Sequence, residues 1–246
     1  MCPMDNTKTT FLYGPSVTKR FKRTLALDLT ASQEHLVVER GSSLARGSVI
    51  VTTCAREMIA SSKAGDKLDH IIVTGSSGDP ALHPDLREVT ENLRMLRDKW
   101  FSRAKLCIAT SVTDLEDENL RASLTKYDRI FLRYQWGTAK TFAKMTGAKA
   151  TQLGELTKRL PGFDHIIVEA SFVSGGANNA ADGEVANWIK KLQEIAPQEV
   201  HILSGTAGQP KPAKAVTPKR RQKIAEDVTE KTGLTVVLHD EEPLLA

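Results

Sequence analysis

The sequence predicts an α/β fold built on a parallel sheet, and three observations carry that prediction. Short apolar runs alternate with amphipathic stretches of helical length, the pattern of successive βα units. The runs are largely Val, Ile, Leu or Phe, as strands covered on both faces should be. The length of 246 residues, with 40% hydrophobic and 26% charged residues, is enough to bury one large core. Periodicity alone leaves two architectures open, an α/β barrel or an open doubly wound sheet.

In chain order, a polar N-terminal arm over residues 1–12 precedes seven strand-like runs. These are Leu25–Leu29, His70–Thr74, Leu106–Ala109, Arg129–Leu132, His165–Glu169, Val200–Leu203 and Leu234–Leu238. Between the second and third, Leu86, Val89, Leu93, Leu96 and Trp100 recur at intervals of three and four and define one helix face. The same spacing joins Val185, Trp188, Ile189, Leu192 and Ile195, behind a polar Asp182-Gly183-Glu184 start. Thr217-Pro218 reads as an N-cap followed by proline in the first helical position, and Gly233 ends that helix just past Lys231. Gly205–Val216 is expected to be one long irregular loop.

The composition excludes several classes. No apolar run approaches the roughly eighteen residues of a membrane span, so no membrane partner is expected. The start MCPMDNTKTT lacks the basic and apolar stretches of a secretory signal, which predicts a cytoplasmic protein. Cys2, Cys54 and Cys107 are scattered, without a CxxC pair or a nearby histidine, and form no visible metal site. Cys54 falls in a predicted helix and Cys107 in a strand, where a buried thiol behaves as a small apolar group. No nucleophile elbow, phosphate loop or HExxH motif is present.

A sharper reading comes from residues 13–29, YGPSVTKRFKRTLALDL. They resemble without a gap the YGPVPSRRLGRSLGVDL opening of one branch of the radical S-adenosylmethionine (radical SAM) proteins. GSSGDPALHPDL at 75–86 resembles that family's SGNGEPTLHPDL, and VEASFVSGGANN at 168–179 resembles EVMLVKGIND. IATSVTDLEDENLR at 108–121 is similar to a segment containing TNGSLLWDPEVR, and IFLRYQWGTAKTF at 130–142 lies over a stretch containing SLD. The resemblance implies a single partial (βα)6-type TIM-like barrel over 13–246, with ligands at the C-terminal ends of its strands. It also implies a cofactor-facing set of Ser76, Ser77, Gly78, Asp79, Pro80, Ser111, Arg133, Gln135 and Glu169.

The same comparison exposes departures. Where the family carries CxxxCxxC after the first strand, this chain reads TASQEHLVVERGSSLARG and has no cysteine. Ser32, Glu34 and His35 do not recreate the thiolate spacing that holds an iron–sulfur cluster, so none is expected. A family glycine has become Ser76, a glutamate Asp79, an asparagine and glycine Ser111 and Val112, and the serine and aspartate of SLD Arg133 and Gln135. Taken alone, a GxxGDP segment is an ordinary turn.

Three functions follow as expectations. The first is a divergent or pseudo-enzyme that binds a small molecule, S-adenosylmethionine among the candidates, or a partner protein. The second is a non-radical enzyme that reuses the cavity through Asp79, His83, Arg133, Gln135 and Glu169. The third is an RNA-binding accessory protein of transfer RNA modification. It would use Lys19, Arg20, Lys22 and Arg23, together with Lys211, Lys214, Lys219, Arg220, Arg221 and Lys223. These clusters also read as solvated faces. The net charge of +4 permits an acidic partner without demanding one. His70, His165 and His201 each open a strand in this reading and are expected to be structural; His83 belongs to the ligand-side loop.

Overall fold

A computed structural model describes residues 11–31, 44–206 and 209–240. Its main sheet has eight strands in the order β1-β2-β3-β4-β5-β6-β8-β10. β1 (Leu12–Thr18) and β2 (Lys22–Asp28) form an antiparallel hairpin, and from β2 onward all neighbours are parallel. The parallel strands are β3 (His70–Thr74), β4 (Lys105–Thr110), β5 (Arg129–Arg133), β6 (Ile166–Ser171), β8 (Glu199–Leu203) and β10 (Thr235–Leu238). Two three-residue strands, β7 (Val173–Gly175) and β9 (Ala213–Ala215), pair separately above the sheet.

Helices cover the outer face. They are α1 (Gly47–Lys63), α2 (Leu86–Trp100), α3 (Glu118–Leu124), α4 (Ala139–Thr146), α5 (Gln152–Arg159), α6 (Asp182–Ile195) and α7 (Pro218–Thr232). Six βα units, the first beginning with β2 of the hairpin, and a final strand therefore make up the described fold, and β1 and β10 stand at the two ends of the strand order. This is the α/β partial barrel that the sequence predicts.

Each of the seven predicted strands is present, His70–Thr74 without change and the others with ends shifted by at most three residues. Thr217 caps α7 by accepting from Arg220 N at 3.2 Å, worth about 1 kcal/mol, and Gly233 closes it in the left-handed conformation at φ 71. Two expectations need correction. Gly205–Val216 is not wholly irregular, because Ala213–Ala215 pairs with β7. His201 does not open its strand but is the third residue of β8, and His165 precedes β6 by one position.

Strand alternation sorts the core into two layers. Ile71, Val73, Leu106, Ile108, Ile130, Leu132, Ile166 and Val168 face outward and join the helices in the large cluster. The opposite parity, Ile72, Cys107, Ala109, Phe131 and Ile167, faces the barrel axis and closes on Phe21 from the β1–β2 turn. The hairpin turn thus plugs the N-terminal end of the barrel. That leaves the C-terminal strand ends as the open face.

Candidate functional site

One layer above the apolar plug, the register aligns Arg133 with Glu169 and Glu169 with His201, on neighbouring strands β5, β6 and β8. All three side chains are buried. Arg20 reaches up from the hairpin turn to form an ion pair with Glu169, packs over the Phe21 and Phe131 rings, and lies 3.3 Å from His201 Nδ1. Glu199 Oε2 sits 3.0 Å from His201 Nε2. Burial holds the His201 imidazole below its ordinary pKa, against the pull of Glu199.

Above this layer lies a cavity of about 350 Å³ at the ends of β3, β4 and β5. Gly78, Asp79 and Leu82 line it from the loop after β3, and Ser111, Val112, Thr113 and Asp114 from the loop after β4. Arg133, Gln135 and Trp136 come from β5 and its extension, and Met145 and Thr146 from α4. Burial lowers the pKa of Arg133 to about 10 while the Asp79 carboxylate opposes the shift, so the guanidinium is charged at neutral pH.

The β3–β4 wall is bound to itself. Asp79 Oδ1 accepts from Ala81 N at 2.8 Å and caps the short 3₁₀ turn Pro80–Leu82. Its oxygens also accept from Thr110 Oγ1 at 2.8 and 2.9 Å, Ser111 N at 2.6 Å and Ser111 Oγ at 3.1 Å. Ser76 N donates to Asp28 Oδ1 and Ser77 N to Thr30 Oγ1, which ties the glycine-rich loop to the end of β2. Gly75 is required there, since a Cβ would stand 2.2 Å from Gly78 O, whereas at Gly78 the nearest atom is 3.8 Å away.

The β5 side is held from outside. Trp188 Nε1 donates to Tyr134 O at 2.8 Å, and Glu184 accepts from Gly137 N, Thr138 N, Thr138 Oγ1 and Thr141 Oγ1, fixing the turn from β5 into α4. Gln135 Oε1 accepts from Ser171 N and Gln209 Nε2, both at 3.0 Å. Asn179 bridges the carbonyls of Gln135 and Ser171.

Of the nine residues expected at the site, the structure brings Gly78, Asp79, Ser111, Arg133 and Gln135 to one cavity. Ser76 and Ser77 sit in the adjoining loop, Pro80 is buried in the 3₁₀ turn, and Glu169 lies a layer deeper with Arg20. His83 is buried outside the lining, its Nε2 3.0 Å from Ala45 O and its Nδ1 accepting from Asp85 N. Trp136, Thr113, Asp114, Met145 and Thr146 were not anticipated.

The two thiols among the described residues do not fit an iron–sulfur cluster. Cys54 and Cys107 are buried in α1 and β4, and burial pushes each thiol pKa up to about 12, far from the thiolate that iron requires. Ser32, Glu34, His35 and Cys2 lie outside the described residues. In the basic clusters, Arg20, Arg23, Arg220, Arg221 and Lys223 are paired with Glu169, Asp66, Asp182, Asp240 and Asp227.

No protein-family model and no curated protein matches the sequence. Solved structures do match. The chain is similar to a radical SAM methyltransferase from Sphaerobacter thermophilus, with a TM-score of 0.58 at 11% identity, over 88% of this chain and 66% of that one. The two share a fold. A domain of pyruvate-formate lyase-activating enzyme from Bacteroides vulgatus ATCC 8482 aligns with a TM-score of 0.52 at 12% identity, over 68% of this chain and 97% of that one. No helix among the described residues is long and apolar enough to cross a membrane.

Proposed function

We propose that this chain is a divergent radical SAM-like barrel protein that carries no iron–sulfur cluster and binds a small ligand in the cavity at its strand ends. The observation that carries this reading is the buried Arg133 guanidinium, lining a cavity of about 350 Å³ beside Gln135 and Trp136. Cavities of this size suit small-molecule ligands, and an anionic group beside a desolvated guanidinium recovers part of the cost of burying that charge. The shared fold and the resembling segments support descent from radical SAM proteins. The cysteine-free segment after β2 and the neutral, buried thiols of Cys54 and Cys107 support the loss of the cluster.

Calorimetric titration tests the reading, with S-adenosylmethionine, its demethylated product and a panel of small carboxylates and phosphates. The expected result is saturable binding of at least one of these to the wild-type protein and at least a tenfold weaker response in Arg133→Met. Binding of S-adenosylmethionine would identify a retained cofactor pocket. Absence of binding across the panel, or equal binding by the folded variant, would overturn the reading.

A further inference from the structure

The end of the barrel opposite the cavity is electrically one-sided. Strands β2, β3, β4 and β5 run parallel, so their first residues and the loops that enter them lie together at this end. Lys22, Lys105 and Arg129 stand at the starts of β2, β4 and β5, while Lys67, Arg103 and Lys126 lie in the loops entering β3, β4 and β5. All are exposed except the half-buried Arg129, and none forms an ion pair among the described residues. Lys22 and Arg129 both lie near enough to His70 to oppose its protonation. The carboxylates of the same sector are already engaged. Arg23 pairs with Asp66 and its amide donates to Asp69 Oδ2 at 3.1 Å, and Arg97 pairs with Asp98 and Asp128.

Neither helix ends nor ordinary solvation accounts for this pattern. Cations in the last turn of a helix offset its macrodipole, as Lys63 in α1 and Lys99 in α2 do, but the unpaired cations lie outside the helices. A face that serves solubility alone intersperses both signs. At this same end, the chain entering β6 and β8 holds Asp164, His165 and Glu199 and no lysine or arginine.

The exposed residues of the loops entering β3, β4 and β5 are small or polar, so they offer neither the apolar core of a protein interface nor the apolar insertion of a membrane surface. Tyr13 is the one large aromatic residue exposed among those described, and it sits beside Ala26, away from this end, so no ring is placed to stack unpaired bases. Neighbouring strands lie about 4.8 Å apart, which makes the basic sector about 15 Å across. A duplex carries one charge per about 1.7 Å of its axis, so a sector of that width meets several phosphates. We infer that this end of the barrel is a docking surface for a nucleic-acid duplex, held through its phosphates by Lys22, Lys67, Arg103, Lys105, Lys126 and Arg129. Contacts of that kind carry no base sequence and need no 2′-hydroxyl.

Fluorescence anisotropy with labelled DNA and RNA duplexes of unrelated sequence tests this. The wild-type chain should bind both at about 50 mM salt and lose about 10³-fold in affinity by about 200 mM. Lys67→Ala, Arg103→Ala and Lys126→Ala should each reduce the dependence of log affinity on log salt by about 1, with an unchanged thermal melt. Reversing all three to glutamate should abolish binding. Lys219→Ala, at the start of α7 and so at the opposite end of the barrel, should leave it unchanged. No binding at low salt, an affinity indifferent to salt, an equal loss in Lys219→Ala, or a preference for one sequence or one sugar would overturn the docking surface. So would capture by anionic phospholipid vesicles in place of the duplexes.

Discussion

The two walls of the cavity differ in how their hydrogen bonds are used. On the β3–β4 side, Asp79 is occupied by Ala81, Thr110 and Ser111, and the amides of Ser76 and Ser77 by Asp28 and Thr30. On the β5–β6–β8 side, Gln135 Oε1 accepts from Ser171 N and Gln209 Nε2, while Ser171 Oγ and Gln209 Oε1 make no hydrogen bond among the described residues. The first wall carries the closest resemblance to a cofactor loop and yet has turned its carboxylate inward on its own backbone. The second carries the greatest departures and leaves buried polar atoms unpaired among the described residues.

Truncation of Asp79 is expected to have the largest effect. Asp79→Ala removes the 3₁₀ cap and strands donors on Thr110 and Ser111, so chemical denaturation should show a loss of about 3 kcal/mol. If the variant keeps wild-type stability, the self-saturated wall is wrong, and with it the contrast between the two walls.

A smaller effect comes from pH. Burial holds His201 and His70 below the ordinary histidine value, so the folded protein binds fewer protons than the unfolded chain over that interval. Stability should therefore be full above about pH 6.5 and fall as the pH drops from there toward the folded values. His201 faces Arg20 and Glu199, with His239 and Phe131 packed against it and Glu169 beside it on β6. His201→Gln should flatten the denaturation midpoint measured between pH 8 and 5, and an unchanged slope would show that His201 does not carry it.

Much of the fold was legible because parallel strands covered on both faces write continuous apolar runs. β1 was not, since LYGPSVT is a largely exposed edge strand, and β7 and β9 have only three residues each. The site was legible where the motif is local, as at Gly78, Asp79 and Ser111. It was not where folding joins distant segments. Glu169 meets Arg20 across 149 positions, so nothing near Glu169 showed that the hairpin would claim it beneath the cavity. Trp136 reaches the lining because Glu184 and Trp188 of α6 pin the turn that carries it, a contact no spacing in β5 reveals.

The proposal that this barrel carries no iron–sulfur cluster is tested most directly by anaerobic reconstitution with iron and sulfide. Absorbance and iron content should show no stoichiometric cluster, with S-adenosylmethionine left uncleaved under reducing conditions. One 4Fe–4S cluster per chain together with reductive cleavage of S-adenosylmethionine would contradict it.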